Sequence, residues 1–473
     1  MGKRYIVEPQ IENGQVFIGT EGNETTVLIG EIAETGGQRR VYFDGTKEFV
    51  ALIIGKRGSG KSHTLGALLE GFCTSRDNTT VSQVSKRRGV LLLDPMGNFW
   101  TTVLPLRGDG PPRLKKQFDQ LNGWGIEPED VNVRVWIPAG CRLPISHPHI
   151  EEFHLRVSDL DVNDWADLLR VDILRDPQGI LLAEAHEAVT QTGWRGSAGT
   201  WHPAKTSYQV QDLIEYIEFE MQRQGQGISE HHANSLRALL RDLRGLARQA
   251  IFQGPGTSLR TLIKEGNLGV LLLPSRVGHD LRRVITRIIV RRILKEREIA
   301  AEIQNRLDFE GDCLTPVEKA RLHEELAQSI PRTLLALDEA QELLGEEGGE
   351  ARQALEDYCL RGRGIGLSLV LATQTPTVSS ISAKVRKQVD TCFIHQLLTR
   401  EEIEITEKNM QTLMPDKIVL KQRQVSYDGL IRSLDVGQCV VASARTVTPR
   451  ENQGRAFVMT VRPRIRVHGG EVS

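Results

Sequence analysis

The sequence predicts an α/β fold built on a mainly parallel sheet, and three observations carry that expectation. Five short runs, Phe49 to Ile54, Val90 to Leu93, Gly269 to Leu273, Leu334 to Leu337 and Leu367 to Leu371, are apolar without alternation, as strands covered on both faces must be. Helical patterns lie between them, as crossovers between parallel strands require. A glycine-rich loop follows the first run directly, at the carboxyl end of the strand, where such sheets bind ligands.

Composition narrows the class. At 473 residues, 39% hydrophobic and 26% charged, the chain reads as an ordinary soluble protein of two or three domains. The balance of 60 Lys+Arg against 61 Asp+Glu excludes a globally basic nucleic-acid coat, so DNA contact would need a local patch. No apolar run approaches the roughly 18 residues of a membrane span, and the start, MGKRYIVEPQIENG, lacks the apolar segment of a secretory signal. The expected compartment is the cytoplasm. The six cysteines form no CxxC pair, which points to reduced thiols and not to a disulfide framework or zinc site. His147, His149 and His154 read as part of a polar loop, and aromatics at 5% argue against a stacking platform for single strands.

Taken in order, residues 1–48 form a short N-terminal β region. Val16 to Ile18, Thr26 to Ile29 and Arg40 to Phe43 are strand-like, a truncated, barrel-like set too small to close a barrel of about eight strands. Residues 49–150 and 261–473 make the sheet core. Residues 151–260 read as a helical insertion, because Val210, Leu213, Ile214, Ile217 and Met221, and then Leu236, Leu239, Leu240, Leu243 and Leu246, recur at helical spacing. The segment from Arg282 to Arg297 carries an apolar stripe of Ile285, Ile288, Ile289 and Ile293, which predicts a core-facing helix with a solvated basic side. The acidic stretch Glu342 to Glu350 reads as a loop, and the tail from Gln438 to Val467 as β-rich.

The loop after the first run, Gly55-Lys56-Arg57-Gly58-Ser59-Gly60-Lys61-Ser62, matches GxxxxGK[ST] in full and leads into a helical segment at His63. Glycines let backbone N–H groups turn toward phosphates, Lys61 supplies a point charge to the β and γ oxygens, and the Ser62 hydroxyl joins a Mg²⁺ shell. Gly55, Gly58, Ser59, Gly60, Lys61, Ser62 and His63 are therefore the candidate nucleotide-binding set. Leu334 to Leu337 ends in Asp338-Glu339. Asp338 is placed to hold Mg²⁺ with Ser62, and Glu339 to take a proton from attacking water as general base. Gln374, after the last run, can hydrogen-bond the γ-phosphate or that water. Arg361 and Arg363, before the same run, are candidates to stabilise the transferring phosphoryl group, in cis or on a neighbouring subunit. LSGGQ and NKxD are both absent, which favours ATP and counts against a transporter-type ATPase or small GTPase.

Together GKRGSGKS at 55–62, LLLDPMGNF at 91–99, LLALDEAQELL at 334–344 and RGRGIGLSLVLATQTP at 361–376 resemble the HerA family within the HerA/FtsK division of P-loop ATPases, across roughly 49–400. The closing VRPRIRVHGG at 461–470 is similar to the family's C-terminal strand. The resemblance implies a RecA-like core and a homo-hexamer with ATP between subunits. It further implies translocation of double-stranded DNA and action with a partner nuclease or other effector, in the manner of ATPase components of anti-phage systems. Lys61 and Ser62 take the Walker A roles, Asp338 and Glu339 the Walker B roles, Gln374 the sensor role, and Arg363, ahead of Arg361, the finger role. Where the family commonly has DPxGE this chain has Asn98, an amide that cannot act as a base.

For DNA the basic sets are Lys86, Arg87 and Arg88, and Lys384, Arg386 and Lys387. The leading function is an ATP-driven DNA translocase with helicase-like character. The alternatives are an ATP-gated scaffold that assembles and activates a partner enzyme, and a secretion or conjugation ATPase, which the lack of a membrane anchor disfavours.

Overall fold

The computed structural model describes residues 11–12, 15–19, 24–33, 39–196, 199–224, 230–344, 349–377, 381–410, 418–420, 423–444 and 456–469. One large sheet organises them. Its strands, in chain order, are β1 (Gln15–Ile18), β2 (Thr25–Ile32), β3 (Arg40–Asp44), β4 (Val50–Ile54), β5 (Gly89–Asp94), β6 (Val133–Pro138), β7 (Ile150–Phe153), β8 (Leu268–Leu272), β9 (Thr333–Leu337), β10 (Leu367–Thr373), β11 (Thr391–Ile394), β12 (Gln438–Ser443) and β13 (Ala456–Val461). They lie in the order β1-β3-β2-β13-β12-β11-β4-β10-β9-β5-β8-β6-β7, and Ile11–Glu12 and Ser82–Val84 add two short edge pairings.

The stretch from β11 to β7 is parallel throughout. All five apolar runs fall in it, so the mainly parallel α/β class read from the sequence holds. Alternation along each strand divides its residues between two apolar layers. Val50, Leu52 and Ile54 face one layer with Leu91 and Leu93, while Ala51 and Ile53 face the other with Val90 and Leu92. Helix α1 (Lys61–Phe72) covers the second layer through Leu65, Leu68, Leu69 and Phe72. The first layer is covered by helices α2 (Val162–Leu169), α3 (Pro177–Glu187), α4 (Val210–Gln224), α5 (Glu230–Ala247) and the long α6 (His279–Glu310). Each fully buried Leu or Ile contributes on the order of 1.5–3 kcal/mol relative to exposure, and two-sided cover explains why the runs show no polar alternation.

Three features lie beyond what the local sequence shows. First, the described strands before Phe49 join the main sheet. β2 pairs with β13 from the far end of the chain, and Val16, Val27, Ile29 and Phe43 join the same apolar layer as α1. The pairing partner lies more than 400 residues away, so local sequence cannot show it. Second, β6, β7 and β11 extend the parallel sheet; Arg134 within β6 and the short lengths of β7 and β11 hide them from an apolar-run reading. Third, arginines on the basic side of α6 are ion-paired, while Lys295 is exposed as expected. Arg287, 3% exposed, meets Asp161, Asp164, Asp167 and Glu350 at 2.8–3.0 Å; Arg291 binds Asp161 and Asp164, and Arg292 binds Asp159. Asp161 also caps α2, in a capping box with Asp164, so the same carboxylates serve the helix N-terminus and the arginines.

A second buried ion network ties the tail to α1. Arg462, Arg464 and Arg466 alternate along the chain, and all three are buried. Glu70, fully buried on α1, accepts from Arg464 Nε at 2.6 Å and from the Ile465 N–H at 3.1 Å. Arg462 donates to the carbonyls of Leu28 and Ala67, both at 2.6 Å. Removing one partner leaves uncompensated buried charge. Glu70→Ala should therefore lower unfolding free energy by about 3–5 kcal/mol in urea denaturation; a change below about 1 kcal/mol would mean that solvent reaches the network.

Candidate phosphate site

Register builds the site before any side chain is considered. Leu52, Leu371, Leu337, Leu93 and Leu271 stand opposite one another across β4, β10, β9, β5 and β8. One residue beyond that rung, the two central strands carry Asp338 and Asp94. Adjacent strands are about 4.8 Å apart, so the register sets two carboxylates side by side at the carboxyl edge of the sheet. Both are fully buried. Asp94 accepts the N–H groups of Met96, Gly97 and Phe99 at 2.8–3.1 Å. Burial nonetheless pushes its pKa up to about 6. Asp338 is pushed up to about 7, by burial first and then by the charges of Asp94 and Glu339.

The loop between β4 and α1 faces this pair. Gly58 and Gly60 hold φ of +79° and +112°, a region that side-chain-bearing residues rarely enter. Gly55 is packed tightly: a Cβ there would meet Ser59 Oγ at 2.4 Å and His395 Cβ at 2.6 Å. Ser62 Oγ donates to Asp338 at 3.0 Å. Lys61 Nζ donates to the Lys56 carbonyl at 3.2 Å; burial lowers its pKa, opposed by the charges of Glu339 and Asp338. Ser59 is turned inward, its hydroxyl donating to the Lys56 carbonyl at 2.8 Å. His63 is the member of the set whose side chain turns away. Its ring Nε2 meets the Arg462 carbonyl at 2.8 Å, and burial lowers its pKa to about 4, so only its backbone is placed for a phosphate.

Glu339 follows Asp338 with φ of +47°, an uncommon conformation for a residue with a side chain. Its carboxylate accepts from Gln374 Nε2 at 2.8 Å and from Gln341 Nε2 at 2.5 Å. The structure thus brings together Lys61, Ser62, Asp338, Glu339 and Gln374. It does not bring Arg361 and Arg363 to them. Both precede β10, at the opposite edge of the sheet; Arg363 binds Asp390 at 3.3 Å and Arg361 binds Glu298 at 2.8 Å. Seven residues of β10, about 3.3 Å each, separate them from Gln374, which removes a role in cis.

Three residues near the loop escaped the sequence reading. Asp94 was visible only as a strand end. Gln341 stands just before the acidic stretch Glu342 to Glu350, whose loop reading hid the short helix Gln341–Leu344. His395, fully buried, contacts Thr64 Oγ1 at 2.9 Å, and no spacing rule connects it to the loop. The basic clusters also change meaning. Arg88 is buried over Phe49 and Phe72 and donates to Ser368 Oγ at 2.7 Å, which excludes it from a DNA surface. Lys86 pairs with Glu24, Arg87 with Asp77 and Lys384 with Glu356.

The donor set fits a divalent cation of the Mg²⁺ type. A hydroxyl and a carboxylate are few protein ligands, which suits an ion that keeps waters and phosphate oxygens, and the crowded carboxylates favour added positive charge. Ser62 and Asp338 would hold it. Among the described residues no helix is long and apolar enough to cross a membrane.

Comparison with known proteins gives one family match and several similar solved structures. The family model described as "Helicase HerA, central domain" matches residues 27–293, more than half of the chain, and its span ends before Asp338. No curated protein matches the chain. Among solved structures, VirB4 of Thermoanaerobacter pseudethanolicus is similar at 16% identity and TM-score 0.47, covering 94% of this chain and 98% of that one. The cytoplasmic domain of the Type VII secretion ATPase EccC of Thermomonospora curvata gives 12% identity and TM-score 0.39, covering 95% and 30%. The genome packaging NTPase B204 of Sulfolobus turreted icosahedral virus 2, in complex with ATP-gammaS, gives 14% and 0.24, covering 43% and 71%.

Because Asp94 holds three loop N–H groups, Asp94→Ala should cost about 1–3 kcal/mol by thermal or chemical unfolding and should loosen the 95–99 turn. An unchanged stability would mean that water replaces the carboxylate.

Proposed function

The chain belongs to the HerA central-domain family of P-loop ATPases, and from that premise we propose that it hydrolyses ATP with Mg²⁺ in a homo-hexameric ring that translocates double-stranded DNA. The observation that carries this reading is the convergence of Lys61, Ser62, Asp338, Glu339 and Gln374 on one sheet edge. A partner nuclease or other effector, and a cytoplasmic role in anti-phage defence, complete the proposal. The division at 1–48, 49–150 with 261–473, and 151–260 remains part of it as sequence regions.

In this reading the loop N–H groups and Lys61 bind the phosphates. Mg²⁺, when bound by Ser62 and Asp338, supplies charge that offsets the γ-phosphate oxygens. Glu339 takes the proton of the attacking water. Gln374 exchanges its Glu339 contact for the γ-phosphate or the water. Arg363, and behind it Arg361, reach the phosphates of a neighbouring subunit, because their own lie a full strand length away. Asn98, an amide, is left out of the base role.

Lys61→Ala should abolish turnover. Glu339→Gln should retain ATP binding but reduce hydrolysis by at least about 100-fold, at the low end of the usual range for acid–base catalysis. Both are read by steady-state hydrolysis with and without long double-stranded DNA. Mixing Arg363→Ala with Lys61→Ala chains should restore part of the activity. Normal turnover in Lys61→Ala, or no recovery in the mixture, contradicts the site or the trans arginine respectively. Slow turnover indifferent to DNA would instead favour the ATP-gated scaffold.

A further inference from the structure

Glu339 is held by two amides that differ in what else they touch. Gln374 Nε2 donates to Oε1 at 2.8 Å, and Gln374 sits just past the end of β10, the strand beside β4 and its phosphate loop. Gln341 Nε2 donates to Oε2 at 2.5 Å. The other end of the Gln341 amide, Oε1, meets Thr373 Oγ1 at 2.8 Å. Thr373 is fully buried, and its single hydroxyl proton is shared between Gln341 Oε1, the shorter contact, and the Thr375 carbonyl at 3.0 Å. A reversed Gln341 amide would press its oxygen against the carboxylate, so charge alone fixes the NH₂ end toward Glu339.

The two contacts are therefore unequal. Gln374 lies where it can leave Glu339 for a phosphate. Gln341 is anchored at its far end, two residues along the chain from the carboxylate it holds, in the short helix Gln341–Leu344. We propose that Gln341, oriented by Thr373, is a positioning residue that fixes one oxygen of Glu339 while departure of Gln374 frees the other to accept the proton of the attacking water. The inference rests on the general-base reading of Glu339. A carboxylate with one oxygen fixed keeps its free lone pairs aimed in one direction, and such alignment is what a base within hydrogen-bond reach of water requires. Without Gln341 the side chain, already on an uncommon backbone conformation at φ +47°, keeps neither of these two amide contacts once Gln374 leaves.

The test uses the full chain and ATP. Gln341→Leu should lower kcat by about 10- to 100-fold, with KM for ATP and the affinity for a fluorescent ATP analogue within about twofold, because the lost group touches only the base. Thr373→Val should act in the same direction with a smaller effect. Gln341→Glu, which sets a like charge beside the carboxylate in place of a donor, should lower kcat at least as far as Gln341→Leu while KM for ATP stays within about twofold. A purely structural role moves none of these selectively. With Glu339→Gln run in parallel, an inactive Glu339→Gln beside a Gln341→Leu of wild-type kcat overturns the positioning role alone. Retained turnover in Glu339→Gln overturns both readings. Loss of nucleotide binding in a folded Gln341→Leu also overturns the inference. If Gln341→Leu fails to fold, the kcat and KM of Thr373→Val and Gln341→Glu decide.

Discussion

Three carboxylates forced into one low-dielectric corner are the constraint around which this molecule is arranged. Parallel pairing in register puts Asp94 and Asp338 on the same rung beyond a row of leucines, with Glu339 next in the chain. Like charges at strand spacing repel strongly away from water, and the surroundings answer in three ways. Backbone N–H groups cap Asp94, Ser62 and Lys61 face Asp338, and two glutamines hold Glu339. What remains unbalanced is an affinity for positive charge, which a nucleotide-bound cation would satisfy.

The rest of the fold keeps that corner in place. α1 starts at the loop and is anchored from behind by the buried Glu70–Arg464 pair, so the tail of the chain is mechanically part of the nucleotide-side helix. On the other face of the sheet, α6 links the segment after Glu339 to the helices of residues 151–260. Arg282 binds Glu342, and Arg287 gathers Glu350 with the carboxylates of α2 and its cap. Movement of the Glu339 turn is thereby connected to the helical layer through charged contacts with defined partners.

Much of the fold was legible because parallel strands covered on both faces are apolar almost throughout, and the five runs from Phe49–Ile54 to Leu367–Leu371 read that way, with Ser368 as their one polar side chain. The pairing of β2 with β13 was not, since nothing local encodes a partner so distant in the chain. Arg88 and Arg287 teach the same lesson for charge. Each reads as exposed from its own neighbours, yet one is stacked on Phe49 and Phe72 and the other is enclosed by acids from two helices. At the candidate site the loop motif and the Asp-Glu pair could be read from residue types and order. The left-handed turn at Glu339, the Gln341 contact and the turn of His63 toward Arg462 depend on packing, and sequence spacing carries no trace of them.

The separation of Arg363 from its own phosphate loop sharpens the proposed trans role of this arginine, because under that proposal no single chain holds a complete catalytic set. Specific ATPase activity of the purified protein, measured across a wide range of protein concentration with saturating ATP and Mg²⁺, tests this directly. With the arginine acting in trans, turnover per chain should rise steeply as subunits assemble and then level off. Turnover per chain that is constant down to concentrations at which sedimentation shows only monomer would contradict it.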